Sequence, residues 1–308
     1  MTRMIVHRLL VGLFVMWGAA SLIFLIVRAA PGDPATVLLG PDADHAQIVR
    51  LRASLGLDRP LGAQYLSYLG DVCRLDFGES HRLGRPAMDA VLDRLPATVD
   101  LTLTATVTAV IVGLTLGMLA GGRPGGLLDR VVSACTIALQ SFPTFWTGIM
   151  LVLVFALNLR LLPSSGVGTP QHLVLPAVTL AFPFIAIIAR LTRTSLVETM
   201  SEEYVRTARS KGLTERQVLL GHALRNSLIP VVTVVGVQVG ALVGGAVIVE
   251  NVFAWPGLGS LVVEAVANRD YTVVQGATLL IAGIVVVLNL MADLLVAQLD
   301  PRIRTGAV

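Results

Sequence analysis

Long apolar stretches separated by polar segments dominate the chain from one end to the other. Six of them approach the length at which an α-helix crosses about 30 Å of hydrocarbon. We place these spans at residues 9–27, 100–121, 131–158, 172–190, 230–250 and 274–297. Because backbone groups in lipid must be hydrogen-bonded within their own segment, each span is predicted to be a helix. The predicted fold class is therefore all-α, a polytopic membrane protein with six transmembrane helices.

Polar stretches divide the rest of the chain. We expect an N-terminal transmembrane helix (1–27), a long loop region (28–97), a membrane domain (98–299) and a short tail (300–308). Clusters of glycine and proline predict turns within the loop region. The third span is long and contains Pro143, which predicts a kink or a tilt.

Composition supports the membrane assignment. Only 14% of the 308 residues are charged and 55% are hydrophobic, whereas soluble domains carry about 25% charged residues. Arginine accounts for all but one of the 23 basic residues, and the exception is Lys211. The net charge of +3 is spread along the chain. This favours an orientation signal over a nucleic-acid surface, so no nucleic-acid partner is expected.

Basic residues in short loops predict the orientation of the chain in the membrane. They gather on one side, at Arg3, Arg8, Arg123, Arg130, Arg190, Arg193, Arg206, Arg209, Lys211, Arg216, Arg225, Arg302 and Arg304. The short loops opposite hold only Arg160 and Arg269. Both termini are therefore expected in the cytoplasm and region 28–97 outside. The first apolar run exceeds the about 7–15 residues of a signal-peptide core, so we expect an uncleaved span.

The charged segment between the fourth and fifth spans has the pattern of two short helices. Ser201 is a good N-cap, and Gly212 can take the left-handed conformation that ends a helix. Thr214 and Gln217 then have the spacing of a capping box, which starts a second helix. We expect that helix to run toward Ile229, before Pro230 opens the fifth span. The prediction is a cytoplasmic helix–turn–helix over residues 201–229.

The first of these helices has about 11 residues, which is marginal in water, so it needs a packing partner. We expect the chain itself to offer little soluble protein for that packing. An amphipathic helix resting on lipid headgroups is one reading, but the apolar content is thin and Glu202 and Glu203 would be repelled by anionic lipid. A DNA-binding helix–turn–helix is disfavoured because both flanks are fixed at the membrane. A surface for another protein fits better.

The run from Glu203 to Gly212, followed by His222 to Pro230, resembles the coupling loop of ABC importer permeases, and most closely the dipeptide and oligopeptide branch. The residues that the resemblance assigns to ATPase coupling are Glu203, Tyr204, Thr207, Ala208, Lys211, Gly212, His222, Asn226 and Pro230. Other stretches match the first of the two permease subunits in order and spacing: Pro31–Ala35, Leu55–Leu61, Asp76–Ser80, Leu95–Thr98, Glu250–Gly259, Asp270-Tyr271 and Leu299–Arg304.

The resemblance implies a type I ABC importer transmembrane fold in the bacterial cytoplasmic membrane. It implies a second homologous permease subunit, two ATPase subunits and an extracytoplasmic substrate-binding protein as partners. The chain has no phosphate-loop motif, since Lys211 is followed by Gly212. ATP and Mg are therefore expected on the ATPase subunits, with no cofactor in this non-catalytic chain. Peptides are the implied substrate; nickel, glutathione and haem are alternatives within the same branch.

Two other function classes are weaker. An ion-coupled secondary transporter usually places ionisable groups or broken helices near mid-membrane, and spans one, two, three and five have no charged residue in their interiors. A membrane enzyme would need clustered chemistry, but none of the five histidines has another histidine, cysteine or carboxylate at metal-ligand spacing. No catalytic or metal-binding residue is assigned.

Polar residues at membrane depth are candidates for the transport pathway or for packing hydrogen bonds: Gln140, Ser141, Trp146, Gln238 and Asn289. A second set could form an outer gate or contact the binding protein: Glu250, Phe253, Trp255, Pro256 and Gly257. Glycine also recurs at every fourth position, at 113, 117 and 121 and at 236, 240 and 244. Such faces let helices approach closely. We expect packing within the chain, with a second subunit or the pathway as the alternative.

Overall fold

The secondary structure is almost entirely helical. The computed structural model describes residues 2–29, 44–54, 56–80 and 82–299. The helices are α1 (Thr2–Ala29), α2 (His45–Ser54), α3 (Leu61–Arg74), α4 (Ala87–Gly121), α5 (Leu127–Ser141), α6 (Thr144–Leu151), α7 (Gln171–Met200), α8 (Glu203–Ser210), α9 (Glu215–Gln217), α10 (Leu224–Val252), α11 (Leu258–Ala267) and α12 (Tyr271–Leu299). π-Helical turns over Val152–Asn158 and Val218–Ala223 extend α6 and join α9 to α10. An antiparallel hairpin pairs β1 (Glu79–Ser80) with β2 (Arg85–Pro86).

Within the described ranges, five helices are long and apolar enough to cross a membrane: α1, α4, α7, α10 and α12. The bent pair formed by α5 and the helix over Thr144–Asn158 makes a sixth span if it is counted as one. The predicted all-α, six-span fold is confirmed in that sense.

The third span is broken rather than kinked. The chain bends by 106° between the two halves of this span, and the break lies at Phe142 and Pro143. Phe142 has extended backbone (φ −90, ψ 134), the conformation that a following proline imposes on its neighbour. The prediction placed the irregularity at the correct residue but underestimated it, because the proline both removes an N–H and excludes the helical conformation before it.

Several helix bounds differ from the predicted ones. α4 starts at Ala87 rather than near residue 100 and continues through Pro96, while α7 runs past residue 190 to Met200. The loop region 28–97 is also more ordered than a loop, because it contains α2, α3, the hairpin and the start of α4. The motif Pro31–Ala35, Leu55 and the tail 300–308 lie outside the described residues.

The chain divides into two units. The first comprises residues 97–256 and the chain from Val287 onward. Its core lies among α4, α7 and α10, with Leu101, Ile188 and Val249 fully buried. The first glycine stripe packs inside this unit: a Cβ on Gly117 would lie 2.5 Å from Cβ of Thr192, and one on Gly113 would lie 2.7 Å from Cβ of Ile188. Close packing within the chain is therefore confirmed for that stripe.

Only part of the second glycine stripe packs closely against another helix. A Cβ on Gly236 would lie 2.9 Å from Cβ of Ala292 on α12, whereas one on Gly244 would meet nothing within 4 Å. The face at Gly236 therefore packs within the first unit, and Gly244 has open space beside it.

The second unit comprises residues 2–96 and 257–286. Its core gathers Ala20 and Ile23 of α1, Phe77, Val91 and residues of α11 and α12. The hydroxyl of Ser80 donates to Oδ2 of Asp270 at 2.5 Å, and the Thr272 hydroxyl donates to the other carboxylate oxygen at 2.8 Å. The Ser80–Asp270 bond joins the hairpin to the residue that precedes α12.

Candidate functional site

The charged segment between α7 and α10 begins directly at the end of a span. Ser201 closes α7, because its hydroxyl and its N–H both donate to the Glu198 carbonyl, at 2.6 and 3.0 Å. Helix α8 starts at Glu203, after Glu202 in extended backbone (ψ 150). The prediction that Ser201 is the N-cap of α8 is therefore wrong, since its hydroxyl serves the preceding helix.

The turn between α8 and α9 has the predicted geometry. Gly212 has a φ of +84°, in the left-handed region, and its N–H donates to the Arg209 carbonyl at 2.9 Å. Thr214 and Gln217 form both bonds of the capping box, including Thr214 N–H to Gln217 Oε1 at 2.9 Å. The glycine terminator and the capping box are confirmed.

Pro230 does not separate two helices. α9, the π-helical turn and α10 follow one another with helical backbone at each junction, and Pro230 lies inside α10. Although the proline removes the hydrogen bond to the Asn226 carbonyl and its ring crowds that carbonyl, its fixed φ suits a helix, and the helix continues through it. The prediction that the second helix ends at Ile229 is wrong for this reason.

Helix α8 packs on its own chain through a small apolar cluster. Val205 and Val218 are fully buried, Ala208 is nearly so, and Met200 and Leu213 pack around them. The expectation that the chain offers α8 little to pack against therefore needs correction. Ala208 belongs to this packed side, where a small residue lets the two helices approach.

Polar contacts hold α8 against both of its neighbours. Nε of Arg209 lies 2.8 Å from Oε1 of Glu215, and the Asn226 side-chain amide donates to the Tyr204 hydroxyl at 2.8 Å. Because Glu215 starts α9 and Asn226 lies on α10, the segment is one block built on the ends of two spans.

The opposite side of α8 is open. The exposed residues among the predicted coupling set are Glu203, Tyr204, Thr207, Lys211, Gly212, Asn226 and Pro230. The side chain of His222 lies outside the described residues. α8 therefore presents a polar face with charges of both signs, while its apolar residues Val205 and Ala208 pack inside the chain; a helix resting on lipid would turn such residues toward the membrane.

An ion pair that the sequence did not reveal joins two of the membrane helices. Arg193 of α7 meets Asp129 of α5 with Nε–Oδ1 and Nη2–Oδ2 distances of 2.5 and 2.8 Å. Asp129 is only 3% exposed and also accepts the Gly125 N–H. The signal was the acid in the first turn of a mostly apolar helix, but nothing in the sequence pairs Asp129 with a residue so far along the chain.

The pathway candidates do not converge. Gln238 lines a pocket of about 180 Å³ with Thr144, Pro183 and Gly245, where α6, α7 and α10 meet. Gln140 instead accepts a bond from Arg190 at 3.0 Å, and Asn289 is exposed on α12.

The remaining two pathway candidates have local partners. The Ser141 hydroxyl donates to the Ile137 carbonyl at 2.9 Å, and Trp146 stacks on Phe142 with a centroid distance of 4.6 Å. Of the five candidates, the structure places only Gln238 in this pocket.

Four of the five candidate gate residues are buried at or just after the end of α10, and Pro256 is half-buried. Phe253 and Trp255 belong to the core of the first unit, and the Trp255 indole N–H donates to the Ala97 carbonyl at 2.8 Å. Glu250 is fully buried and accepts the Thr98 hydroxyl at 2.7 Å. These side chains fasten α10 to α4 and present no surface to a partner in this structure.

The matched families cover nearly the whole chain. Residues 113–305 match the family described as binding-protein-dependent transport system inner membrane component, and residues 1–102 match the corresponding N-terminal family. The chain belongs to this permease family. It is therefore an inner-membrane component of a transport system.

Two relatives align with the permease over nearly its whole length. It is 41% identical, over 97% of its length and 98% of the relative's, to the probable peptide ABC transporter permease protein y4tP of Sinorhizobium fredii. It is 42% identical, over 99% of both chains, to the glutathione transport system permease protein GsiC of Escherichia coli K12.

Solved structures agree on the fold. A chain of the inward-facing MetNI methionine ABC transporter superposes with a TM-score of 0.59 at 21% identity, covering 68% of the permease and 96% of that chain. A chain of an amino acid ABC transporter solved with histidines gives 0.52 at 18% identity, over 70% and 94%. At this identity the likeness establishes the fold, that of a type I ABC importer transmembrane subunit, and nothing about substrate.

Proposed function

We propose that the permease forms half of the translocation pathway of an ATP-driven importer for di- or oligopeptides delivered by an external binding protein. The observation that carries this proposal is the end-to-end identity with the probable peptide permease y4tP, 41% over 97% of the chain. Glutathione is the second candidate, since GsiC is equally similar. Glutathione is itself a tripeptide, so both relatives favour a small peptide-like solute.

ATP and Mg bind to two separate ATPase subunits in this proposal, and a second homologous permease completes the pathway. The exposed face of α8 is the surface that we assign to the ATPase. The support for this assignment is the way α8 is attached to the membrane helices. Side chains of α8 bind Glu215 and Asn226, on the helices that lead into the fifth span, and only two residues separate α8 from the end of α7. A push on α8 therefore moves α7 and α10 together, as rigid-body switching requires.

The buried ion pair extends this linkage. Because Arg193 of α7 is bound to Asp129 at the start of α5, a displacement of α7 is passed to the first half of the broken span. We place Gln238 beside the pathway, at the junction of α6, α7 and α10. The basic residues around α8 favour a cytoplasmic position for this segment, with both termini on the same side and α2 and α3 outside.

Reconstitution of the assembled transporter tests the function. The permease is co-expressed with its cognate ATPase subunits, second permease and binding protein, purified as a complex and placed in liposomes. Binding protein loaded with tripeptide should stimulate ATP hydrolysis and drive uptake, and loading with glutathione compares the two candidate substrates. Uptake driven by an ion gradient in liposomes that lack the ATPase subunits would contradict the proposal.

A further inference from the structure

A pocket in the second unit is large enough to hold a small organic molecule. It has a volume of about 490 Å³, within the about 300–1,000 Å³ range of small-molecule sites. It lies where the end of α1 meets α3, the turn before α3 and the first part of α12. Its polar lining consists mainly of Arg28, Arg59, Gln64, Tyr68, Asp71 and Gln275.

Two polar atoms in this lining are buried without a hydrogen-bond partner among the described residues: Oε1 of Gln64 and Oη of Tyr68. Gln64 is 9% exposed, and its orientation is fixed, because its Nε2 donates to the carbonyls of Leu57 and Arg59 at 3.0 and 2.7 Å. Its oxygen is therefore a true acceptor, since reversing the amide would face oxygen against oxygen. Buried polar atoms in native proteins are normally satisfied, so both atoms call for a partner.

The phenol of Tyr68 is held in its protonated form. Its ring packs on Phe24 with a centroid distance of 5.5 Å. Burial, and to a smaller extent the neighbouring Tyr65, raises the pKa of Tyr68 to about 12. The hydroxyl therefore remains a donor throughout the physiological pH range.

The charged groups of the pocket are of both signs. The guanidinium of Arg28 lies 5.6 Å from the centre of the Phe24 ring. Arg59 is exposed beside Gly56 at one rim, and Asp71 lies on α3 one turn beyond Ser67. Across the described ranges, neither arginine forms an ion pair with a carboxylate. Free guanidinium groups in a concave site are suited to a carboxylate, which they bind through paired hydrogen bonds.

These groups together specify a ligand. An acceptor without a donor at Gln64 calls for an N–H group, the donor of Tyr68 calls for an oxygen, and the arginines call for an anion. We propose that this pocket binds a small zwitterion with a carboxylate and amino or amide N–H groups, an amino acid or a short peptide. The proposal rests on the proposed function and orientation, which place the pocket outside the membrane. It adds a solute site that belongs to the second unit and is separate from the pocket beside Gln238.

Direct binding to the intact complex tests the proposal. The purified transporter is placed in lipid nanodiscs without its binding protein, and affinity is measured by calorimetry with the tripeptide alanyl-alanyl-phenylalanine and with its C-terminal amide. We expect the tripeptide to bind and the amide to bind at least tenfold more weakly. Arg59→Gln and Tyr68→Phe should each weaken tripeptide binding by about three- to tenfold.

Two matched variants on α3 separate binding from folding. Tyr65 does not line the pocket, and its hydroxyl shares a 2.5 Å hydrogen bond with Ser21. Tyr65→Phe should therefore lower the melting temperature and leave the affinity unchanged. Tyr68→Phe should weaken binding without lowering the melting temperature, because the hydroxyl that it removes has no hydrogen-bond partner among the described residues. Arg74→Gln, at the exposed end of α3, is the matched control for Arg59→Gln and should bind normally.

Several results would overturn the proposal. These are the absence of binding up to about 1 mM, equal affinity for tripeptide and amide, or unchanged affinity in both pocket variants. Native mass spectrometry showing a phospholipid that is lost in Arg59→Gln, with no tripeptide bound, would identify a lipid site instead. ATP hydrolysis stimulated by the loaded binding protein is measured in the same preparation. If that stimulation persists but the pocket does not bind the tripeptide, only the proposal about the pocket is wrong. If the stimulation is absent, the proposed function is wrong.

Discussion

Gly212 offers the sharpest test of the proposed ATPase coupling by the segment between α7 and α10, because the role of this glycine depends on backbone conformation alone. Its φ of +84° lies in the left-handed region, and a Cβ added there would meet nothing within 4 Å. A substitution at this position therefore changes conformational strain without creating a clash. Gly212→Val introduces a β-branched side chain, which is an outlier at positive φ.

The size of the effect follows from the contacts of the turn. An L-residue in the left-handed region costs about 1–2 kcal/mol. The turn is held by a few bonds at its exposed end, including Gly212 N–H to the Arg209 carbonyl, and by the exposed Arg209–Glu215 ion pair, which contributes about 0–1 kcal/mol. α8 itself has eight residues and a small apolar cluster. The ratio of native to unwound turn should therefore fall about five- to thirtyfold.

The assay compares three chains in the reconstituted transporter. Gly212→Val should reduce both peptide uptake and binding-protein-stimulated ATP hydrolysis several-fold, with normal membrane insertion. Gly212→Asn should remain close to the unmodified protein, because asparagine is tolerated in the left-handed region. Normal uptake by the valine variant would refute the coupling role of the turn. Equal loss in the asparagine variant would refute the conformational explanation, since strain alone would distinguish the two.

Four further substitutions test the helix packing through which we propose that movement is transmitted. Gly117→Ala should strongly destabilise the purified transporter, because its Cβ would lie 2.5 Å from Thr192, whereas Gly244→Ala should leave the melting temperature nearly unchanged; equal effects would contradict the assigned packing of α4 on α7. Arg193→Gln should lower stability by about 1–3 kcal/mol, because buried Asp129 loses its charged partner but keeps the Gly125 N–H, and Arg193 itself is one-third exposed; thermal unfolding unchanged from the parent would reject this. Trp255→Phe should cost about 0.5–1.5 kcal/mol by removing the bond to Ala97, measured by the same melting assay, and unaltered stability would show that the bond contributes nothing.

Interactions between residues close in the chain explain which parts of the segment between α7 and α10 could be predicted. The glycine terminator and the capping box depend on residues within a few positions of each other, so their geometry follows from the sequence. The errors at Ser201 and Pro230 have a different origin. In both places a neighbouring membrane helix extends further than its apolar pattern suggested: α7 runs to Met200 and α10 starts at Leu224. Which of two adjacent helices includes a boundary residue depends on the relative stability of both helices.

The candidate gate shows a different limit. Phe253 and Trp255 follow a span and are large aromatic residues, a pattern that suits an exposed contact as well as a buried one. Their burial depends on Ala97 and on the core formed by α4, α7 and α10, which are distant in the chain. The same dependence on distant residues explains two further features that could not be predicted. These are the ion pair between Asp129 and Arg193 and the pocket between α1, α3 and α12.

The sequence by itself determined the membrane class, the number of spans, the position of the break at Pro143 and the turn at Gly212. Each depends on hydrophobic length or on the conformational limits of proline, glycine and capping residues, which act over a few residues. The tertiary structure alone decided which polar groups are paired, which aromatic residues are buried, and where Gln64 Oε1 and Tyr68 Oη, which have no hydrogen-bond partner in the described part of the chain, face a pocket. These outcomes depend on contacts between helices far apart in the chain, and no local pattern specifies which residue faces which.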